Sequence, residues 1–216
     1  MRARNFLLVI LVVGGAAAAG VLARTQLKRR GGEFKPYTIT WQVTDYDESG
    51  AVVGQYTETR YTAHDGRWYS VRHFPDGKRQ ETFSVPGKGV FVRGKEKLMF
   101  LSEAPEGPPR TYTEEQVSKS PAFVRTDEVL GLQVVVIKTG PGERTEVWQA
   151  PGLNYDWVKR VERGEDGNLR SIAEPVSIVM GDPDPSVFKP VDLPVDHSFY
   201  EQKENMRRQQ QTTPPQ

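Results

Sequence analysis

Tyr37-Thr38-Ile39-Thr40-Trp41-Gln42-Val43-Thr44-Asp45 alternates apolar and polar side chains without a break. Successive side chains of an extended chain point to opposite sides, so Tyr37, Ile39, Trp41 and Val43 share one face and Thr38, Thr40, Gln42 and Thr44 the other. The stretch predicts a β-strand with one buried face. The sequence after it repeats the theme. Asp47-Glu-Ser-Gly50 turns into a strand over Val53 to Thr62, and His64-Asp65-Gly66 turns into Arg67 to Phe74. Pro75-Asp76-Gly77 turns into Lys78 to Val85, Pro86-Gly-Lys-Gly89 into Val90 to Val92, and a further strand covers Lys97 to Leu101. Asp-Gly between β-prone runs is the strongest local hairpin signal. The N-terminal half therefore reads as an antiparallel meander.

Pro105 to Pro109 interrupts the pattern. Thr113 to Ser120 predicts a short helix, with Thr113 as N-cap and Gln116 completing a capping box. Strands resume over Glu128 to Thr139, Glu143 to Gln149, Tyr155 to Arg163 and, after a third Asp-Gly, Leu169 to Met180. Residues 201–216 are polar and Gln-rich and are expected to be disordered.

Upstream of the meander, Phe6 to Ala23 is an apolar run of about 18 residues, near the lower limit for a bilayer-spanning helix. Arg2 and Arg4 precede it, and Arg24, Lys28, Arg29 and Arg30 follow. The run exceeds the usual core of a cleaved signal, and the basic residues after it oppose export of a cleaved product. This favours a retained single anchor, with secretion after cleavage as the alternative. Counting basic residues on both flanks places the domain inside the cell. The expected organisation is a membrane anchor and linker over 1–32, an antiparallel β domain over 33–197 and a disordered tail over 198–216.

The C-terminal third carries a resemblance. Thr145-Glu-Val-Trp-Gln-Ala-Pro-Gly-Leu-Asn154, Val158-Lys-Arg-Val-Glu-Arg163 and Gly181-Asp-Pro-Asp-Pro-Ser-Val-Phe188 resemble the ending of exported bacterial proteins with the lipoprotein-carrier (LolA/LolB-like) fold. The resemblance implies a mainly β (α+β) chain: a curved antiparallel sheet, a half-barrel, here with at most one or two short helices. It also implies a periplasmic domain, against the charge count. No functional residue of the carriers maps onto this sequence.

Lys and Arg total 29 and Asp and Glu 28, a formal net charge of +1. That balance argues against a nucleic-acid partner. With no cysteine, disulfides, thiolate metal sites, cysteine nucleophiles and lipoprotein acylation are excluded. His64, His73 and His197 are too dispersed to suggest a metal site, and no serine elbow is present. Glu114 and Glu115 suit a helix start, Asp182 and Asp184 a proline-rich turn rather than calcium, and Gly87-Lys-Gly89 a hairpin rather than a phosphate loop. No catalytic, cofactor or metal residue is expected. Trp41, Trp68, Trp148 and Trp157 all fall in strands and are core candidates. On the concave face of a half-barrel they would line an apolar groove suited to an acyl chain. The reading is a non-enzymatic, membrane-anchored envelope protein that binds a lipid or acylated partner. The alternative is a structural or assembly subunit with a packed core that docks on another envelope protein.

Overall fold

The computed structural model describes residues 34–106, 114–189 and 191–212. The apolar run Phe6 to Ala23, its basic flanks and the cap residue Thr113 lie outside them. Among the described residues no helix is long and apolar enough to cross a membrane.

The described chain is mainly β: one open sheet of 12 strands with few helices. The strands are β1 (Tyr37–Tyr46), β2 (Val52–Thr62), β3 (Trp68–His73), β4 (Arg79–Val85), β5 (Gly89–Arg93), β6 (Leu98–Ser102), β7 (Phe123–Val129), β8 (Leu132–Thr139), β9 (Thr145–Ala150), β10 (Asp156–Arg163), β11 (Leu169–Met180) and β12 (Val195–Asp196). Their order across the sheet is β12-β6-β5-β4-β3-β2-β1-β11-β10-β9-β8-β7. Two meanders thus meet at β1 and β11, which pair antiparallel. The pairing of β12 with β6 is parallel.

The three Asp-Gly turns form as the sequence predicts. Asp65, Asp76 and Asp166 each accept a hydrogen bond from the amide two residues on, at 3.0 Å. The glycine between adopts positive φ, which lacks a Cβ penalty only for glycine. The single strand expected over Glu128 to Thr139 is instead the end of β7 and all of β8. Leu130 and Gly131 reverse the chain with φ of 49° and 77°, the backbone of a two-residue hairpin turn. A leucine in that conformation gives no sequence signal.

Register divides the sheet into two faces. Ile39 pairs with Arg60, Trp41 with Glu58 and Thr62 with Trp68, so these side chains share the face of Trp41. Tyr61, Tyr69, Phe83 and Phe91 pair in succession and share the opposite face. The main core lies on the Trp41 face. There the sheet curves so that Tyr37, Ile39, Trp41 and Val43 of β1 meet Val134 and Val136 of β8, Trp148 and Ala150 of β9, Val158 of β10 and Ala173 of β11. A second core lies on the Phe91 face, where Phe91, Leu98 and Phe100 pack with Phe83, Val85, Val191, Leu193 and Tyr200. Gly89 makes that packing possible: a Cβ there would come within 2.3 Å of the Phe100 ring.

Among the described residues two α-helices accompany the sheet, α1 (Glu114–Ser118) and α2 (Ser198–Thr212). The first falls where the sequence predicts it and buries Val117 against Val135 and Tyr155. The second, Ser198–Thr212, runs 15 residues through part of the stretch read from sequence as a disordered tail, and is longer than the short helices expected. Asp196 caps it by accepting from the Ser198 amide at 2.9 Å. Tyr200 meets the Phe100 ring edge-on at 5.0 Å. A polar segment with one good cap and one half-buried aromatic anchor becomes ordered by docking, not by its own composition.

Candidate functional site

Beyond β11 the chain returns as a strap across the Phe91 face. The Gly181 amide donates to the Pro36 carbonyl at 3.0 Å. A 3₁₀ turn over Pro185–Phe188 follows, capped by the Asp184 carboxylate, which accepts from the Ser186 amide at 2.8 Å. Asp184 therefore serves the turn the sequence suggests. The Arg67 guanidinium lies over the Phe188 ring at 5.3 Å. Val191 and Leu193 then pack on the second core, and the Pro194 carbonyl accepts from the Leu98 amide at 2.9 Å. An ion pair between Lys97 and Asp196 closes the strap onto β6. Pro183, Pro185 and Pro194 remove backbone donors, so the strap cannot form a continuous ladder with the sheet beneath it.

Between strap and sheet lies a groove of about 750 Å³, within the range of about 300–1,000 Å³ usual for small-molecule sites. Its floor comes from alternate residues of adjacent strands: Tyr69, Val71 and His73 of β3; Arg79, Glu81, Phe83 and Val85 of β4; Phe91 and Arg93 of β5. Read along β4, this face passes from Val85 and Phe83 to Glu81 and Arg79, apolar at one end and charged at the other. β5 follows the same gradient, from Phe91 to Arg93. At the charged end Glu81 accepts from Arg93 Nη1 at 2.9 Å and from Arg79 Nη2, while Arg79 also donates to the Tyr69 hydroxyl at 3.2 Å. Glu81 is buried, whereas the Arg79 and Arg93 side chains are 56% and 39% exposed. Lys88, Lys189 and Arg67 add positive charge elsewhere on the lining.

None of the four tryptophans expected to share a groove points its ring into this one: Trp68 borders it, but register turns its side chain to the Trp41 face, toward Arg60. Trp41 and Trp148 are buried in the main core, and Trp157 packs against it. Three of the four nevertheless converge. Trp41 and Trp157 stack at 4.3 Å between ring centroids. The Arg60 guanidinium lies 5.4, 5.4 and 5.2 Å from the Trp41, Trp68 and Trp157 rings. Arg60 Nη1 pairs with Asp156 Oδ2 at 3.1 Å, and Asp156 also accepts from the Tyr37 hydroxyl. Burial works against the Arg60 charge, but Asp156, Tyr37 and Glu58 outweigh it and hold its pKa above the usual arginine value. Burial, then the Asp156 charge, push the Tyr37 phenol well above its ordinary range. Among the described residues, buried Arg60 Nε has no hydrogen-bond partner. Trp148 stands apart, donating to Asp127 at 2.9 Å beneath Arg125 and Lys159.

The histidines keep separate company. His73 lines the groove, His197 lies on Phe100 at 4.7 Å, and exposed His64 is 3.5 Å from Asp182. Among the described residues no group of three or more His, Asp and Glu side chains is placed to hold a metal ion. The groove residues Arg79, Glu81, Phe83, Phe91 and Arg93 were not singled out by sequence. Their one signal is the period of two through Arg79, Glu81, Phe83 and Val85, which mixes charged and apolar residues on one face and so hides as an ordinary half-exposed strand.

No family model matches the chain, and no curated protein matches it. Solved structures do resemble it. The MucA/MucB complex of Pseudomonas aeruginosa is 16% identical with a TM-score of 0.46, covering 74% of this chain and 56% of that one. This chain thus spans little more than half of that relative's length. An uncharacterized conserved protein from Thermus thermophilus is 12% identical with a TM-score of 0.47, covering 81% of this chain and 98% of that one. A LolA superfamily protein from Nitrosomonas europaea is 9% identical with a TM-score of 0.36, covering 73% and 91%. LolA-superfamily chains, the kind to which residues 145–188 bear a resemblance, thus stand among the solved structures similar to this protein.

Proposed function

We propose that this chain is a non-enzymatic binding protein of the bacterial envelope that holds an acyl chain, of a lipid or of an acylated partner, in the groove under the strap. The observation that carries the reading is the groove itself, whose floor of Phe83, Val85, Phe91 and Leu98 is roofed by Val191 and Leu193 yet leaves about 750 Å³ open. An apolar floor of that size gains by excluding water, roughly 25 cal/mol for each Å² of apolar surface covered. Envelope placement rests on the apolar run Phe6 to Ala23, read as an inner-membrane anchor, and the periplasmic side on the carrier-like ending over residues 145–188, against the charges that flank the run.

Two measurements test this. The full-length chain is examined by native mass spectrometry for lipid carried through purification, and by titration with a fluorescent fatty-acid probe. Leu193→Trp, which fills the groove from the strap, is expected to weaken the probe at least about tenfold, the effect of roughly 1.4 kcal/mol. No co-purified lipid, together with probe binding indifferent to Leu193→Trp, would sink the reading. For the membrane placement, a reporter fused after Gln216 should be active only in the periplasm; activity only in the cytoplasm refutes it.

A further inference from the structure

The groove is not uniformly apolar, and along β4 and β5 its floor runs from apolar to charged. Its lining carries five cations, Arg67, Arg79, Lys88, Arg93 and Lys189, against one carboxylate, Glu81. Glu81 is shared between Arg79 and Arg93, so that cluster keeps a net positive charge after its internal pairing. Sharing also fixes both guanidiniums: each is tied by one hydrogen bond to a buried carboxylate and is left partly exposed where it borders the groove. Two oriented guanidiniums are a suitable receptor for an oxyanion, because their parallel N–H donors match carboxylate and phosphate geometry. The cluster lies one strand step beyond the apolar floor: Glu81 is two residues from Phe83 on β4, and Arg93 two residues from Phe91 on β5. Two residues along a strand span about 6.6 Å, so a head group on the arginines leaves its chain directly over the phenylalanines.

We propose that the groove selects an anionic amphiphile, with its carboxylate or phosphate head group on Arg79 and Arg93 and its acyl chain over Phe83, Phe91 and Val85. This rests on the acyl-binding reading above and names the ligand class within it. The arginines confer choice of head group, and the phenylalanine floor confers affinity for the chain.

The test uses the full-length protein and three probes: a fluorescent fatty acid, its neutral methyl ester and a single-chain phosphate lipid. The quantity read is the ratio of anionic to neutral affinity, in wild type and in the variant Arg79→Gln/Glu81→Gln/Arg93→Gln. That variant neutralises the cluster without stranding Glu81 as a lone buried charge. The ratio is expected to fall about tenfold or more, the contribution of a charge-assisted hydrogen bond. If both probes bind wild type and the ratio is the same in the variant, the head-group assignment is overturned while the groove reading stands. If wild type binds no probe, the groove reading fails and takes this inference with it. Inorganic phosphate displacing the anionic probes at the same concentration as the phosphate lipid would show a free-anion site and overturn the amphiphile assignment. Comparison of fatty acid with phosphate lipid separates the two head groups. Should the variant not fold, wild type alone decides. Its preference for the anionic probes must shrink as salt rises from about 0.05 to 0.5 M, because partly exposed charges are screened. A preference unchanged by salt rejects the proposal.

Discussion

The indole of Trp41 is fully buried, stacked on Trp157, and its single polar atom donates to the Val158 carbonyl at 2.6 Å. Trp41→Ala is expected to cost about 3–5 kcal/mol in denaturant unfolding, since it removes a large ring from a core that cannot collapse around the space. Trp41→Phe keeps most of the packing and leaves the carbonyl unpaired, for a loss of about 1–3 kcal/mol. Beside it, Arg60 and Asp156 form an ion pair whose side chains are 17% and 29% exposed. Asp156→Leu strands the guanidinium among three aromatic rings and is expected to cost about 3 kcal/mol, the low end for breaking a buried pair because water still reaches Asp156. The double variant Arg60→Leu/Asp156→Leu should be more stable than Asp156→Leu alone, as chemical denaturation of the set will show; equal or lower stability refutes the buried-pair account. Sequence marks these residues only partly. Trp41 reads as core from its own strand. Arg60 looks like any exposed residue of a Thr-rich strand, because the rings around it come from β1, β3 and β10 and meet only through register.

At the scale of elements, what is local is legible. The Asp-Gly hairpins follow from an aspartate that caps a nearby amide and a glycine that tolerates positive φ, both fixed within four residues. The turn at Leu130-Gly131 escapes because leucine carries no such signature. Helix α2 escapes because its stability comes from β6, through Tyr200 on Phe100, and from the cap on Asp196. That cap gives a pH dependence. The hydrogen bond from Lys97, with those from Ser198, holds the Asp196 carboxyl well below its ordinary value in the folded chain. A depressed folded pKa means that the contribution is fully present above the unfolded carboxyl value, about 3.9, and is lost as pH falls below it toward the folded value. Hydrogen exchange at the Leu98 and Ser198 amides should therefore accelerate between about pH 4 and pH 2 more than at Trp41, which has no titrating neighbour of this kind in the strap. Equal acceleration at all three sites would refute a local effect. Asp196→Asn should remove the difference.

For the whole molecule, the decisive feature is that two cores lie on opposite faces of one sheet. The core around Trp41 joins β1, β8, β9, β10 and β11, whereas the core around Phe91 joins β4, β5 and β6 to the strap and α2. Local stability follows buried apolar contact. Native-state hydrogen exchange is expected to be slowest in β1, β10 and β11 and faster by an order of magnitude or more, about 1.4 kcal/mol, in β5 and β6. Uniform protection across the sheet would refute this division. The existence of strands and the presence of a curved sheet were readable from periodicity and from the ending at residues 145–188. Which face would hold the open groove was not, because that depends on where the strap crosses, a placement set by contacts between residues almost a hundred positions apart.

That separation has a consequence for the chain as it is made. The floor strands leave the ribosome early, while Val191, Leu193 and the strand that docks on Leu98 follow about a hundred residues later. Chains elongate at about 5–20 residues per second, so the phenylalanine row stays bare for several seconds in every newborn molecule. During that interval it is a sticky surface for chaperones and for neighbouring copies. A chain halted near residue 180 would keep its first core and never gain the roof. Nonsense truncations in this region should therefore give folded but aggregation-prone products, not unfolded ones.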